Sequence, residues 1–412
     1  MQRWSWLLAR MVRRLWFRAS LYGVLGIVTA LMAVAVDPLI PAELTRRVGA
    51  EAVDAILTIV ASSMLSVTTF SLGIMVSATA AAAGSATPRA GNLLMEDAAS
   101  QSTLSTFLGA FLFSLVGLVC LKAGIYGDGG LLVLFVATLF MIGLVVVTVL
   151  RWINQLTRIG RLGEVIDRVE AITARAIAGY VADPLLGATP DKGLAAPARA
   201  VFHDAIGHVQ HIDMADLSNV AEEHRVHIHV AIRTGSFCVP GRPVAHIVGI
   251  DIGDALAARV ARCFTIGDSR SFDQDPRFGL VVLSEIASRA LSPAVNDPGT
   301  AIDVIGTLVR VLLPVAQAKH ALVTRPRLHV APIAPEDLFD DAFGAIARDG
   351  AGMVEVAIKL QKALRALASV EDETFSTAAR HLAEEAMERA LGAMPYQGDR
   401  RRLKADQVFA ET

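Results

Sequence analysis

Histidines are the first group of residues whose side chains could bind a metal ion. Seven of the ten histidines in the chain lie between positions 203 and 246. Zinc and copper bind imidazole, and a zinc site needs three or four ligands that converge on one point. His227 and His229 alternate with apolar residues, so both side chains lie on one face of a predicted strand. That face is polar, as a solvated strand face also is. We expect no metal centre and no cofactor. The remaining metal-ligand candidates are His208, His211, His227 and His229.

A second set combines a hydroxyl, an amide and a carboxylate, in Ser292, Asn296 and Asp297. Such groups can bind a metal ion or a polar ligand. Ser292 and Asp297, however, each precede a proline, and Ser or Asp followed by Pro is typical of a helix start, where the side chain caps free backbone N–H groups. Capping explains both residues, so the three are ligand-binding candidates only if they adjoin a pocket.

The third set lies on a long apolar segment, where small and hydroxyl residues recur at spacings of four, three, four and four. This spacing places them on one face of a helix. In a membrane, such a face serves either close helix packing or the lining of a polar pathway. Packing is the commoner role, and both alternatives stay open. The pore-lining candidates are Ser62, Ser66, Thr69, Gly73 and Ser77.

Four apolar segments within the first 150 residues must position that face. About 20 apolar residues span a bilayer, so the last three qualify, and the first qualifies if interfacial Trp16 and Phe17 extend it. An excess of arginine before the first segment and Arg151 after the last place both ends of the chain in the cytoplasm. No ionisable residue lies at mid-membrane, which disfavours a proton-coupled carrier. The segments are Leu21–Val36, Ala52–Ala83, Leu104–Leu121 and Leu131–Leu150.

The start of the chain has a second interpretation. A basic beginning, a short apolar core and Ala33-Val34-Ala35 before Asp37 also fit a cleavable secretory signal. Tryptophans at positions 4, 6 and 16 favour an interfacial helix instead. The choice changes only the first helix, because the rest of the topology is the same either way.

After residue 150 the composition becomes that of a soluble domain. The predicted fold class is an α-helical polytopic membrane domain with four spans, followed by an α+β cytoplasmic domain. Alternation at 226–232 and the Gly- and Pro-rich segment 234–243 predict a strand and a tight hairpin, resembling a small lipoyl-like barrel without its lysine. The expected domains are the membrane domain (1–150), a stalk helix and linker (151–200), a small β-rich, barrel-like unit (201–250), a helical domain (251–396) and a loose tail (397–412).

Several short motifs together resemble one family. They are Arg277-Phe278-Gly279, the segment from Ala290 to Ala301, the Gly235 to Pro243 turn and Phe339-Asp340-Asp341-Ala342-Phe343. With the second span and its Thr87-Pro88-Arg89 exit, they resemble the bacterial predicted membrane proteins known as DUF2254, over nearly the whole chain. The resemblance implies a multi-pass protein of the bacterial inner membrane and supplies no activity.

Composition and motifs narrow the functional classes. A net charge of −2 provides no basic field for nucleic acid. Without a G-x-S-x-G, P-loop, HExxH or dinucleotide motif, we expect no enzyme. The expected partners are the lipid bilayer, further copies of the chain and a small ligand or ion. The hypotheses are a homo-oligomeric ion or small-solute channel lined by the second span and, as the alternative, a non-conducting sensor or scaffold whose cytoplasmic domain binds a ligand or partner.

Overall fold

The computed structural model describes residues 15–36, 49–90, 98–156, 161–194, 197–250, 252–317 and 322–408. Contacts divide the chain into two compact units, with the boundary between Val165 and Ile166. The arginine-rich segment before residue 15, residues 37–48 and the expected junction of fourth span and stalk at 157–160 lie outside the described residues.

The N-terminal unit consists of long helices, as its apolar composition dictates. Within the described residues, α2, α3 and α4 contain segments long and apolar enough to cross a membrane, and α1 contains a shorter apolar stretch, Ser20–Ala35. The predicted apolar segments therefore form helices, each longer than the segment itself. The helices are α1 (Leu15–Val36), α2 (Ala50–Ser85), α3 (Ala98–Lys122) and α4 (Asp128–Leu156).

Small residues let the helices of this unit approach closely. A Cβ on Gly26 of α1 would lie 2.6 Å from the carbonyl oxygen of Gly109 on α3, so the two backbones are in contact. Tyr126 donates a hydrogen bond of 3.0 Å to the carbonyl of Ala30, and Lys122 pairs with Asp54 at 3.2 Å. Helix α3 is therefore a packing helix, in which small residues allow close approach of its neighbours.

The boundary between the units falls within the amphipathic helix α5 (Leu162–Ala182), and the C-terminal unit continues as a mixed α/β domain with a helical end. Aspartate side chains cap several of its helices, as at Asp275 and Asp297. The remaining helices are α6 (Met214–Glu223), α7 (Asp254–Arg262), α8 (Pro276–Ala290), α9 (Pro298–Leu312), α10 (Pro335–Phe339), α11 (Ala345–Asp349), α12 (Val354–Ala368), α13 (Glu373–Ala393) and α14 (Gln397–Val408), after α5 (Leu162–Ala182). A π-helical turn, Asp340–Gly344, joins α10 to α11.

The strands form two sheets. A five-stranded mixed sheet has the order β1-β8-β4-β6-β2, in which β8 runs parallel to β1 and β4 and the other pairs are antiparallel. A three-stranded antiparallel sheet has the order β5-β3-β7. Apolar side chains from both sheets and from α6 and α7 form one core. The strands are β1 (Ala188–Pro190), β2 (Arg199–Val201), β3 (Gly207–Ile212), β4 (His227–Val230), β5 (Phe237–Cys238), β6 (Ala245–Val248), β7 (Phe264–Gly267) and β8 (Arg325–Val330).

These sheets correct the predicted tight hairpin and the predicted barrel-like unit. Strands β4 and β6 are antiparallel partners as expected, but the segment between them contributes β5 to the other sheet, so the hairpin is not tight. The described strands form two open sheets, and no closed barrel is found among them. The region 251–396, predicted to be helical, also supplies β7 and β8. Strand pairing is non-local, which a local pattern does not reveal.

Two further corrections concern helices. The tail 397–412, predicted to be loose, contains α14, which buries Leu403 and pairs Asp406 with Arg365 at 2.6 Å. Residues Pro298–Gln317 are also long and apolar enough to span a membrane, a property absent from the predicted topology. In the folded chain, however, Ile305 and Leu308 of this segment are completely buried in the C-terminal unit, so we assign α9 as a core helix.

Candidate functional site

The five pore-lining candidates lie on the free face of α2. All five are exposed in the single chain. The opposite face of α2, with Leu57, Met64 and Met75, is buried and packs against α3. At about 100° per residue, the candidate face is turned by roughly half a revolution from the packed face. Packing within one chain therefore does not account for these residues.

Three hydroxyl groups of this face are bonded to their own helix. Ser62, Ser66 and Thr69 donate to the carbonyl oxygens of Thr58, Ser62 and Leu65 at 2.9–3.0 Å. A hydroxyl has one proton to donate and two lone pairs that accept. Once the proton is used within the helix, the oxygen presents only acceptors outward. The face is therefore weakly electronegative, and its hydroxyls need no partner from another chain.

The predicted histidine face is real and includes a histidine that the pattern missed. His329 of β8 lies beside β4, with its Nε2 3.0 Å from Nδ1 of His227 and its ring stacked on that of His229 at 4.2 Å. His229 Nδ1 lies 2.9 Å from Asp191 Oδ1. Burial, and then the neighbouring imidazoles, lower the pKa of His329, which favours the neutral form of that ring.

The other two metal candidates belong to a different sheet. His208 and His211 lie on β3, where His208 packs edge-on against Phe237 and its Nδ1 is 3.1 Å from the carbonyl oxygen of Gly235. The four candidates therefore do not converge. Across the described ranges, no group of three or more His, Cys, Asp or Glu side chains could hold a metal ion.

The turn with Ser292, Asn296 and Asp297 is a structural connection between α8 and α9. The Asp297 carboxylate accepts from the backbone N–H of Thr300 at 3.1 Å and from its hydroxyl at 2.6 Å, and these bonds lower the pKa of Asp297. The predicted cap at Asp297 is thus confirmed. Ser292 caps no helix start, because it follows α8 and its hydroxyl donates to the carbonyl of Arg289 at 2.7 Å.

Asn296 has a different role in the same turn. Its φ is +51°, in the left-handed region that Asn tolerates better than most residues. Its backbone N–H donates to the carbonyl of Ser292 at 2.8 Å, which closes the turn. The side chain of Asn296 is exposed, and none of the three residues lines the cavity described next.

A cavity of about 460 Å³ lies between α8 and the π-helical turn Asp340–Gly344. Arg277, at the start of α8, holds this arrangement because it pairs with Asp341 at 2.5 Å and with Asp337 at 2.7 Å. The Arg277-Phe278-Gly279 and Phe339–Phe343 motifs are therefore in direct contact. Sequence reasoning noted both motifs but missed the cavity, since no local pattern signals a π-helical turn, a feature often found at functional sites.

Three relatives of the chain are described as uncharacterized proteins. An uncharacterized protein of Mycobacterium bovis is 27% identical over 233 residues, which is 51% of this chain and 42% of that protein. Uncharacterized proteins from two strains of Mycobacterium tuberculosis match to the same extent. The chain thus covers less than half the length of these curated relatives. No solved structure matches it.

A sequence model of the family described as "Predicted membrane protein (DUF2254)" matches residues 12–366. This match extends from the first helix through α12 and includes both motifs that border the cavity. The apolar helices of the N-terminal unit agree with that description. The chain belongs to the DUF2254 family of predicted membrane proteins.

Proposed function

We propose that the protein is a homo-oligomeric channel for ions or small solutes, with the free face of α2 around the central axis. The observation that carries the proposal is the exposure of Ser62, Ser66, Thr69, Gly73 and Ser77 on one face of a single chain. At 1.5 Å per residue this face is about 22 Å long, most of the roughly 30 Å hydrocarbon core of a bilayer. Elsewhere the same unit exposes large apolar side chains such as Leu139 and Phe140 on α4, which suit lipid.

The outward lone pairs of the hydroxyls favour cations over anions. Glu51, exposed at the start of α2, adds a negative charge beyond the end of the hydroxyl face. A lining without fixed charges selects weakly among small ions of one sign. We therefore expect weak selectivity that favours cations.

The topology belongs to the same proposal. From the positive charges before α1 and at Arg151 we infer that both termini are cytoplasmic and that the protein lies in the bacterial inner membrane. Lys122 and Asp54 would then lie on the outer side, as their ion pair between the end of α3 and the start of α2 allows. The C-terminal unit would be a cytoplasmic gating or assembly domain.

Cysteine cross-linking tests the assembly. Cys120, Cys238 and Cys263 are buried and would first be replaced by serine or alanine. A cysteine at Ser66 should then form a disulfide between chains in native membranes, whereas one at Phe140, 74% exposed on α4, should not. Equal cross-linking at both positions, or none at Ser66, contradicts the proposed interface.

Ion flux tests the pathway itself. Liposomes with the parent protein should release a small cation faster than liposomes with a Ser66→Leu, Thr69→Leu variant. The matched control is Phe140→Leu, which changes a lipid-exposed side chain away from α2. Absence of flux from the parent, with cross-linking at Ser66 intact, would reject conduction and leave α2 as an assembly surface.

The second candidate function is a sensor or scaffold that does not conduct. One observation favours it: the C-terminal unit contains the cavity between α8 and the π-helical turn, and its volume of about 460 Å³ is within the usual range of ligand sites. In this case α2 would associate with itself only to bring C-terminal units together. The ligand would act through the cytoplasmic part of the protein.

A further inference from the structure

We propose that the cavity between α8 and the π-helical turn binds a small organic dication, a diamine or a guanidino-amine. The inference deepens the second candidate function, because it rests on ligand binding by the C-terminal unit. It does not depend on conduction through the membrane unit. Three features of the cavity carry it: its charge, an unused hydroxyl and its shape.

The cavity has an excess of negative charge. Its lining includes three carboxylates, Glu285, Asp340 and Asp341, and two guanidinium groups. Both arginines already form ion pairs with carboxylates outside the lining: Arg348 pairs with Asp349, and Arg389 pairs with Glu385. With Arg277 and its two partners, Asp341 and Asp337, these groups have six negative and three positive charges. A concave site with a formal charge of −3 concentrates cations and repels anions.

The second feature is Ser284, which is 3% exposed on α8 and lines the cavity. Within the described residues its hydroxyl oxygen has no hydrogen-bond partner. Some buried helical hydroxyls of the chain, such as Ser105 and Thr173, donate to the carbonyl four residues earlier at 2.6 Å. Ser71 and Ser114 in the N-terminal unit also have no partner within the described residues, but neither lines this cavity. A buried polar group without a partner is destabilising, so a bound polar group that pairs with the Ser284 hydroxyl would be favoured.

The third feature is the distribution of the charges over two walls. Glu285 belongs to α8, whereas Asp340 and Asp341 belong to the π-helical turn. Two ammonium groups joined by a short apolar chain could each approach one wall, with Val281 and Ala345 beside the methylenes. No three acidic or histidine side chains of the described ranges could hold a metal ion, which favours an organic cation over a divalent metal.

Isothermal titration of the full chain in detergent tests the inference with 1,4-diaminobutane and agmatine as probes. At least one should bind with measurable heat, whereas the uncharged 1,4-butanediol and inorganic phosphate should not. Binding of the diol as tightly as the diamine would overturn the proposal, as would binding of phosphate alone. No heat from either amine would also overturn it.

Three variants locate the site. Asp340→Asn should weaken diamine binding at least tenfold, because a charge-assisted bond is lost. Ser284→Ala should weaken it severalfold without lowering the melting temperature, since this hydroxyl has no partner to lose. Glu371→Gln removes an exposed carboxylate outside the lining and should change nothing. Unchanged affinity in Asp340→Asn would overturn the assignment.

The result of the amine titration can be distinguished from the results that test the proposed channel. Flux and Ser66 cross-linking report on α2, whereas amine titration reports on the cavity. Amine binding without flux leaves the sensor with its ligand class identified. Flux without amine binding leaves the channel and rejects the cavity proposal.

Discussion

Replacement of Gly279 by alanine is the sharpest test of the packing between α5 and α8. An added Cβ would lie 2.6 Å from both Cβ and Cγ2 of Thr173 and would clash with its hydroxyl oxygen. Thr173 has no room to retreat, because it is fully buried and its hydroxyl is bonded to the carbonyl of Val169 at 2.6 Å. The two helices must therefore separate, or Thr173 must leave its rotamer.

The expected magnitude follows from two opposing effects. Overpacking of a well-packed site costs about 1–3 kcal/mol, against about 1 kcal/mol gained by replacing glycine within a helix. A clash with three atoms of one side chain places Gly279→Ala at the upper end, so we expect a net loss of about 1–2 kcal/mol. For a unit of this size that lowers the melting temperature by roughly 2–8 °C.

Scanning calorimetry of the full chain in detergent measures the change, with Gly306→Ala as the matched control. Gly306 is also inside a helix, α9, but its added Cβ would meet nothing closer than 3.9 Å. The control should therefore raise the melting temperature while Gly279→Ala lowers it. Thr173→Ala removes two of the three crowding atoms and should recover part of the loss in the double variant. Equal effects of the two glycine variants would refute the packing argument.

Two further predictions concern the α9 cap and the topology. Asp297→Ala should lower the free energy of unfolding by about 1 kcal/mol, because the bonds to Thr300 are lost. The pKa of Asp297 is lowered in the folded protein, so the cap's contribution to stability is complete above the ordinary aspartate pKa of about 4. This contribution is lost as the pH falls through the folded-state pKa of Asp297. The melting temperatures of the parent and of Asp297→Ala should therefore converge in acid. In a cysteine-free background, an impermeant maleimide should label a cysteine at Gly127 in intact cells, but one at Glu371 only after permeabilisation. Labelling of Glu371 in intact cells would contradict a cytoplasmic C-terminal unit.

Local signals were sufficient for the apolar helices of the N-terminal unit and for one cap. The apolar segments around Ser62 and Leu134 gave α2 and α4 because length and composition alone decide whether such segments are helical in a membrane. Asp297 followed by a proline correctly predicted the start of α9, because the capping carboxylate of Asp297 and the fixed φ of Pro298 both act within one helical turn. These features need no knowledge of distant parts of the chain.

Features that depend on a partner were missed. Strand β8 alternates polar and apolar residues, but nothing local indicates that it pairs with β4 and brings His329 to His227 and His229. The strongly charged sequence of α14 predicts a loose tail, but the buried Leu403 and the ion pair of Asp406 attach this helix to the C-terminal unit. Non-local contacts decide both cases, and the cavity beside the π-helical turn arises in the same way.

The hydrogen bonds of the α2 hydroxyls explain why exposure alone does not decide between channel and sensor. Because Ser62, Ser66 and Thr69 donate within their own helix, they can face lipid, a second helix or water without leaving a proton unpaired. Small side chains permit close helix contact in the first two settings, whereas only the third uses the free lone pairs. Cross-linking at Ser66 therefore separates lipid exposure from assembly, and flux separates a packed assembly from a hydrated one. A leucine in place of Ser66 should disturb both the packed assembly and the hydrated assembly. Only the hydrated assembly has ion flux to lose, so assembly and flux have to be measured on the same variant.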